Sequence, residues 1–353
     1  MPGERMPTER TRIGIIGAGA IGCVVGGLLA KAGHDVTVVD PWPEHVDQIK
    51  RAGLRLSGSC GEHLVSITAL HLHELALVRE PFDLVFVAVK SYDTEWATQL
   101  AVDHLRRPDG VVVDFQNGIN DHRVAAVAGR ERSLGCVILI IAGMYEAAHA
   151  IRTDRGSAAF KIGEHDGRDT PRARRLAELM SAVAPATVTT NLWGERWSKL
   201  ALNCMLNPLA GLSGLGTAEV RTDSITRRLA AHLGVEVVRV GSALGHHIEP
   251  ILGIAAKRFA DADDAIAIET LGREIAADAQ SRSGGRPSML QDVMKGRRTE
   301  IDHLNGFVAA EGRRAGIATP FNDAVVEAFH AHAVGALTPD PRNLAPIARL
   351  LHE

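Results

Sequence analysis

Residues 12–40 read, in order, as a strand, a glycine turn, a helix, a second strand and an acid, and few folds accept that order. Arg12-Ile13-Gly14-Ile15-Ile16 is a short apolar run that enters Gly17-Ala18-Gly19-Ala20-Ile21-Gly22. A helical stretch follows from Cys23 to Ala32, Gly33-His34 closes it, and Asp35-Val36-Thr37-Val38-Val39-Asp40 is the next strand. Glycines in such a turn allow a tight bend and let a pyrophosphate approach the backbone amides at the helix N-terminus. A G-x-G-x-x-G alone is a weak signal; between two strands, with an acid ending the second, it marks a Rossmann-like dinucleotide-binding unit. Gly17, Ala18, Gly19, Ala20, Ile21 and Gly22 are the candidate phosphate-binding residues, the bland alternative being glycines that serve only helix–strand packing. Asp40 is placed to accept hydrogen bonds from ribose hydroxyls and to repel a 2′-phosphate. No arginine or lysine follows until Lys50, so NAD(H) is expected over NADP(H).

The alternation continues. Residues 83–89 form a continuous apolar run of the buried parallel-strand type and end in Lys90. Residues 110–115 form another and end in Gln116-Asn117-Gly118. Ligands of open parallel sheets bind beyond the carboxyl ends of the strands, which makes Lys90 and Asn117 candidates for the cofactor site. Their ordinary alternatives are an exposed loop lysine and a turn residue ahead of a glycine. Residues 136–141 read as a further strand, and 158–162 and 186–190 as additional, antiparallel ones. From 191 the strand signal gives way to helical patterns over 192–212, 224–244, 250–262, 289–315 and 320–335. The expected class is therefore α/β: a polar, disordered extension over 1–11, a Rossmann dinucleotide-binding domain over 12–190, and an all-α substrate domain over 191–353. The glycines of 211–216 follow a helix rather than a strand and are not read as a phosphate loop.

One helix of the second domain carries an unusual polar stripe. Lys199, Asn203 and Asn207 are spaced i, i+4, i+8 and stack on one face, because each step of four advances only about 40°. Leu200, Ala201, Leu202, Cys204, Met205 and Leu206 lie between them. An apolar helix is usually buried, and buried polar groups need partners. A lysine there must pair its charge or lower its pKa, the setting in which lysine does acid–base work; the alternative is a lysine reaching water along a half-exposed face. Ser288 and Gln291 match an S-x-x-Q capping box after a flexible loop over 281–287, so Ser288 reads as an N-cap that also suits a substrate carboxylate. Glu300 and Asp302 lie further along the same helix, where a solvated helix charge is the ordinary alternative to a role in a site.

Composition excludes several classes. At 353 residues two domains are expected, and 46% hydrophobic with 23% charged residues describes a globular protein. A formal net charge of −3 and 4% aromatics argue against a nucleic-acid partner, and no apolar run is long enough to span a membrane. Cys23, Cys60, Cys136 and Cys204 are far apart and form no C-x-x-C pair, which reads as buried thiols of a cytoplasmic protein. No metal site is expected; adjacent His246 and His247 would point to different faces of a helix.

The two parts together resemble the ketopantoate reductase (2-dehydropantoate 2-reductase) family over nearly the whole chain. The most specific pieces are Trp197-Ser198-Lys199-Leu200 with Asn203 and Asn207-Pro208-Leu209, and Pro287-Ser288-Met289-Leu290-Gln291-Asp292 with Thr299-Glu300-Ile301-Asp302 and Asn305-Gly306. The resemblance implies a Rossmann domain followed by an all-α domain, with an active site in the cleft between. It implies Lys199 as catalytic lysine, Glu300 as its partner carboxylate, Asn203, Asn207 and Ser288 as substrate contacts, and Lys90 and Asn117 near the nicotinamide. The implied activity is hydride transfer between nicotinamide and a small 2-oxo or 2-hydroxy acid, with 2-dehydropantoate to pantoate the leading pair. Two departures stand out. The family commonly uses NADPH and often has a basic residue where this chain has Asp40, which leaves NADP(H) open beside NAD(H). The 244–286 segment is longer than typical members carry. An NAD-linked dehydrogenase or oxidoisomerase of a sugar acid is the alternative enzyme. A non-catalytic dinucleotide sensor is the alternative from another class, and would need neither Lys199 nor Glu300. Monomer or homodimer is left open.

Overall fold

Valine and isoleucine runs with little polar interruption favour strands buried on both faces, and a parallel sheet provides that setting. The computed structural model describes residues 10–154, 159–277, 279 and 285–352. The expectations for 1–9, for residue 158 and for the 281–284 part of the loop lie outside those residues. The chain forms two units: one runs to Gln116 and resumes over Asn120–Leu192, and the other holds Asn117–Ile119 and Trp193–Glu353.

The strands of the first unit are β1 (Arg12–Ile16), β2 (Asp35–Asp40), β3 (Leu54–Gly58), β4 (His63–Val65), β5 (Thr68–His71), β6 (Leu84–Val87), β7 (Val111–Asp114), β8 (Ser133–Ile138), β9 (Ala142–Glu146), β10 (His149–Arg152), β11 (Phe160–Gly163) and β12 (Ala186–Val188). Its helices are α1 (Ala20–Lys31), α2 (Pro43–Ala52), α3 (Thr94–Asp103), α4 (Asp121–Ala128) and α5 (Pro171–Met180). Eight strands make the main sheet in the order β12-β11-β8-β7-β6-β1-β2-β5. The six from β5 to β8 run parallel, and their order reverses at β1, the doubly wound arrangement. Ile13, Ile15, Val38, Phe86 and Val113 are fully buried in its core.

Sequence and structure differ at particular elements. The strand expected over 136–141 sits at Ser133–Ile138, so its register is shifted toward the N-terminus. Of the two strands expected as antiparallel, β11 runs antiparallel to β8, whereas β12 pairs parallel with β11. A four-stranded sheet, β4-β3-β10-β9, was not expected. Its strands are three to five residues long, too short for a period of two to stand out, and three of the four carry exposed positions.

The second unit is helical: α6 (Leu192–Ser213), α7 (Thr217–Thr222), α8 (Ser224–Ala243), α9 (Ala256–Ala260), α10 (Ala265–Ala276), α11 (Ser288–Met294), α12 (Asn305–Ala315), α13 (Pro320–His330) and α14 (Ala345–Arg349). Its core gathers Trp197, Leu200, Met205 and Leu209 of α6 with Leu229, Val237 and Val240 of α8. The single helix expected over 289–315 is broken. After α11, Gly296 takes a left-handed φ of 62°. Its N–H donates to the Val293 carbonyl and the Arg297 N–H to the Asp292 carbonyl, the paired bonds of a Schellman stop. Ser288 is the first residue of α11 and Pro287 its cap; Gln291 Nε2 donates instead to the Arg286 carbonyl, so the expected capping box is not made. The 250–262 pattern yields only the short α9, because Leu252 and Gly253 both take positive φ just before it. The last long helix stops at His330 rather than 335. Helix α10 was not expected; Asp264 caps it through a bond from the Ala267 N–H. No helix among the described residues is long and apolar enough to cross a membrane.

Candidate functional site

Each unit carries its own part of the candidate site. In the first, the glycines divide the work of one turn. Gly17 has a φ of 105°, and a Cβ there would lie 2.7 Å from the Ala88 backbone. Gly22 faces the turn itself, where a Cβ would lie 2.2 Å from the Gly17 carbonyl oxygen. Gly19 differs: a Cβ there would meet nothing within 4 Å. Gly19 is also the N-cap of α1, offers no side-chain cap, and is followed by a first turn without acidic residues. Open space over uncapped amides at the positive end of a helix suits a pyrophosphate. The residues present therefore fit a dinucleotide.

Asp40 ends β2 and holds this turn. Its two oxygens accept from the Ala18 N–H (2.8 Å) and the Trp42 N–H (2.9 Å). A carboxylate offers about four lone-pair sites, so the half-buried group keeps acceptor capacity for ribose hydroxyls. A second support was not foreseen. The Ala148 N–H donates to His45 Nδ1 (2.9 Å), which leaves the proton on Nε2 facing Cys23 Sγ at 3.5 Å. The Cys23 thiol in turn donates to the Ala18 carbonyl (3.1 Å). Burial lowers the His45 pKa and raises that of Cys23, so both are neutral in this buried chain beneath the glycine turn. His45 in the first turn of α2 carries no sequence signal of that role.

Lys90 lies three residues past β6, and Asn117 three residues past β7. Gln116, expected only as a neighbour, ties the β7 end to the β6 end by donating from Nε2 to the Val89 carbonyl (2.9 Å). Asn117 groups with the helical unit, as do Gly118 and Ile119.

In the second unit α6 runs 22 residues and presents Lys199, Asn203 and Asn207 along one face. Trp197, Leu200, Ala201, Cys204, Met205 and Leu209 on its other faces are buried to 1% exposure or less, which fixes the rotation of the helix. Asn203 and Asn207 are each 6% exposed. Asn207 Nδ2 approaches Ser288 Oγ at 3.5 Å, which joins α6 to the start of α11. Asn203 Nδ2 is buried and makes no hydrogen bond. A buried amide donor without a partner is rare and points to a group that the described residues do not supply. Lys199 is half-buried, and burial pulls its pKa down to about 8. Glu300 is 5% exposed at the N-cap of the 3-10 turn Ile301–His303, not on a long solvated helix. Burial is the cause of the Lys199 shift, and no neighbouring carboxylate contributes to it. Asp302 is exposed and bonded to His330. His246 stacks on Trp197 at 5.7 Å, and no cluster of three or more histidine, cysteine, aspartate or glutamate residues suited to a metal occurs among the described residues.

Comparison with known proteins agrees with this division. Residues 13–167 match the family described as "Ketopantoate reductase PanE/ApbA", and residues 191–333 match "Ketopantoate reductase PanE/ApbA C terminal". The chain is similar to the 2-dehydropantoate 2-reductase of Archaeoglobus fulgidus, 29% identical over 310 residues, covering 87% of this chain and 92% of that protein. It is likewise similar to the 2-dehydropantoate 2-reductase of Pyrococcus horikoshii, 29% identical over 316 residues, covering 88% and 94%. Among solved structures, the PanE/ApbA family ketopantoate reductase of Ralstonia eutropha JMP134 superposes with a TM-score of 0.74 at 25% identity, covering 97% of this chain and all of that one. A D-mandelate dehydrogenase solved with NADH and anilino(oxo)acetate shares the fold, with a TM-score of 0.78 at 24% identity over 91% of this chain and 97% of that one. Both halves of the molecule lead to one assignment, and the chain belongs to the ketopantoate reductase family.

Proposed function

We propose that this protein is an NAD(P)-dependent oxidoreductase that reduces a small 2-oxo acid to the 2-hydroxy acid, with 2-dehydropantoate to pantoate the leading pair. The observation that carries the reading is the buried stripe on α6, in which Asn203 holds a donor without a partner and Lys199 has its pKa pulled down to about 8. A dinucleotide, when bound, supplies the hydride. Lys199, as ammonium, stabilises the charge that develops on the carbonyl oxygen and donates a proton to it. Asn203, Asn207 and Ser288 bind carboxylate and hydroxyl groups of the acid. Glu300 acts as the partner carboxylate of Lys199 once substrate is in place. The relatives named 2-dehydropantoate 2-reductase support the substrate choice. The test is a screen of 2-oxo acids, 2-dehydropantoate and keto sugar acids included, with NADH and NADPH, followed by absorbance of the reduced nicotinamide. Turnover confined to keto sugar acids would move the assignment to a sugar-acid dehydrogenase, and none at all would sink it.

Two predictions belong to this reading. Reduction needs the ammonium form of Lys199, which is present below its pKa and lost above it. The rate of acid reduction is therefore expected to fall as pH rises through about 8, limited by one proton. An alkaline limb that persists unchanged in Lys199→Arg, whose guanidinium does not titrate there, would assign that limb to another group.

The second concerns Asp40. NADH is expected to exceed NADPH in kcat/KM, because the carboxylate repels a 2′-phosphate. Asp40→Ala is expected to shrink that ratio by about tenfold or more, an electrostatic cost of at least about 1.4 kcal/mol. Absolute rates will also drop, since the Ala18 and Trp42 amides lose their acceptor. The ratio is the informative quantity, and a wild type that favours NADPH refutes the role.

A further inference from the structure

Helix α6 contains Pro208, which has no N–H, so the carbonyl four residues earlier, that of Cys204, lacks its helical donor. That carbonyl is not left bare. Asn305 Nδ2 donates to it at 3.3 Å across the core of the unit. Asn305 is the first residue of α12 and is fully buried. Its orientation is imposed from behind. Glu236 on α8 accepts from the Phe321 N–H (2.9 Å), the Asn322 N–H (2.9 Å) and Asn322 Nδ2 (2.7 Å). Burial pushes the Glu236 pKa up to about 7, and these three donors work against its protonation. With its amide nitrogen turned to Glu236, Asn322 presents Oδ1 to Asn305, which donates to it at 2.9 Å. Turning the Asn305 amide over would set an oxygen against two acceptors, Asn322 Oδ1 and the Cys204 carbonyl. Asn305 Nδ2 therefore donates both ways, to Asn322 on α13 and to the Cys204 carbonyl on α6, and four helices meet in one polar chain inside an apolar core.

The location of that bond matters for the site. Cys204 follows Asn203 and lies three residues before Asn207, on the helix that also carries Lys199 five residues earlier. Asn305 lies five residues after Glu300, joined to it by the 3-10 turn. One hydrogen bond thus sets the register between the lysine helix and the segment that bears the buried glutamate.

We propose that Asn305 is a positioning residue: its side-chain amide replaces the helical donor that Pro208 removes, and so holds Asn203, Asn207 and Lys199 in register with Glu300. The catalytic part of this statement rests on the proposed 2-oxo acid reduction; the hydrogen-bond part does not. Removing the donor leaves a buried carbonyl unpaired, a cost that alanine at 208 cancels by restoring an N–H to the same acceptor.

The test is a double-mutant cycle of Asn305→Leu and Pro208→Ala in the full chain, read by urea denaturation and by steady-state kinetics. Asn305→Leu is expected to lower kcat/KM for the 2-oxo acid by about ten- to a hundredfold. Reduced dinucleotide should bind with a Kd unchanged within about twofold, because the glycine turn belongs to the other unit. Pro208→Ala alone should cost little. The double variant should recover most of the lost kcat/KM and of the lost denaturation midpoint. Losses that simply add, or unchanged kinetics in Asn305→Leu, overturn the proposal, since a residue that merely packs gains nothing from a new N–H at 208. If the wild type reduces no 2-oxo acid, the function above fails, and the denaturation cycle still decides whether position 208 rescues position 305. If Asn305→Leu does not fold, Asn305→Ser, which is smaller and too short to reach the carbonyl, runs the same cycle.

Discussion

Lys199→Ala is expected to lower the turnover of 2-oxo acid reduction by about 10² to 10⁴, the range for losing a general acid. Dinucleotide affinity should stay near wild type, because the lysine belongs to the helical unit and the phosphate turn to the other. The physical basis is the position of the ammonium. It stands on a helix whose rotation is fixed by the buried Trp197, Leu200 and Cys204, so the face that carries the lysine is set. Burial alone lowers its pKa to about 8, which keeps most of it protonated at neutral pH while easing release of the proton. Glu300 supplies the second arm of the experiment. If it acts on the substrate only through Lys199, Glu300→Gln should reduce turnover in the wild type and add little in the Lys199→Ala background. Losses that multiply would separate the two residues. Near-normal turnover of Lys199→Ala, with circular dichroism unchanged, would mean that another group protonates the oxygen.

The parts of this protein legible in its sequence are those in which local chemistry and tertiary role coincide. The first strand, the glycine turn and the acid at 40 fall where residues 12–40 placed them, because Gly17 and Gly22 answer constraints within the turn itself or one strand away. The polar stripe of α6 was legible for the same reason: helical spacing alone puts 199, 203 and 207 on one face. What escaped depends on partners distant in sequence. The small sheet β4-β3-β10-β9 pairs residues 54–58 with 149–152, and neither segment alternates long enough to announce a strand. The burial of Glu300 was not legible because the pattern over 289–315 reads as one unbroken helix, and Gly296 after Lys295 is the available sign of a stop. Asn305 was visible as part of a motif, but its bond to Cys204 joins residues 101 positions apart. Only Pro208 in the middle of an apolar helix hinted that some carbonyl needed a donor from outside.

Gly19→Ala is expected to separate dinucleotide binding from folding. Nothing lies within 4 Å of the Cβ position, and the Gly19 backbone, with φ of −67° and ψ of −174°, is open to any residue. Thermal stability should therefore stay within about 0.5 kcal/mol of wild type, the usual range for a substitution that touches nothing. The added methyl occupies the space over the α1 amides where a pyrophosphate would have to approach. Loss of one or more of those charge-assisted bonds, at about 1.5 to 3 kcal/mol each, predicts a dinucleotide Kd raised by about ten- to a hundredfold or more. Gly22→Ala is the contrast. Its Cβ would lie 2.2 Å from the Gly17 carbonyl oxygen, a backbone atom that cannot rotate aside, so the turn itself must open. That variant should lose both stability, by about 1 to 3 kcal/mol as overpacking typically costs, and affinity. Calorimetric titration with NADH and NADPH beside a thermal melt reads both quantities. If Gly19→Ala binds dinucleotide as tightly as wild type, the open space over α1 is not where the phosphates sit, and the glycines revert to packing helix against strand. If it melts as early as Gly22→Ala, the turn is under a strain at 19 that its open surroundings give no reason to expect.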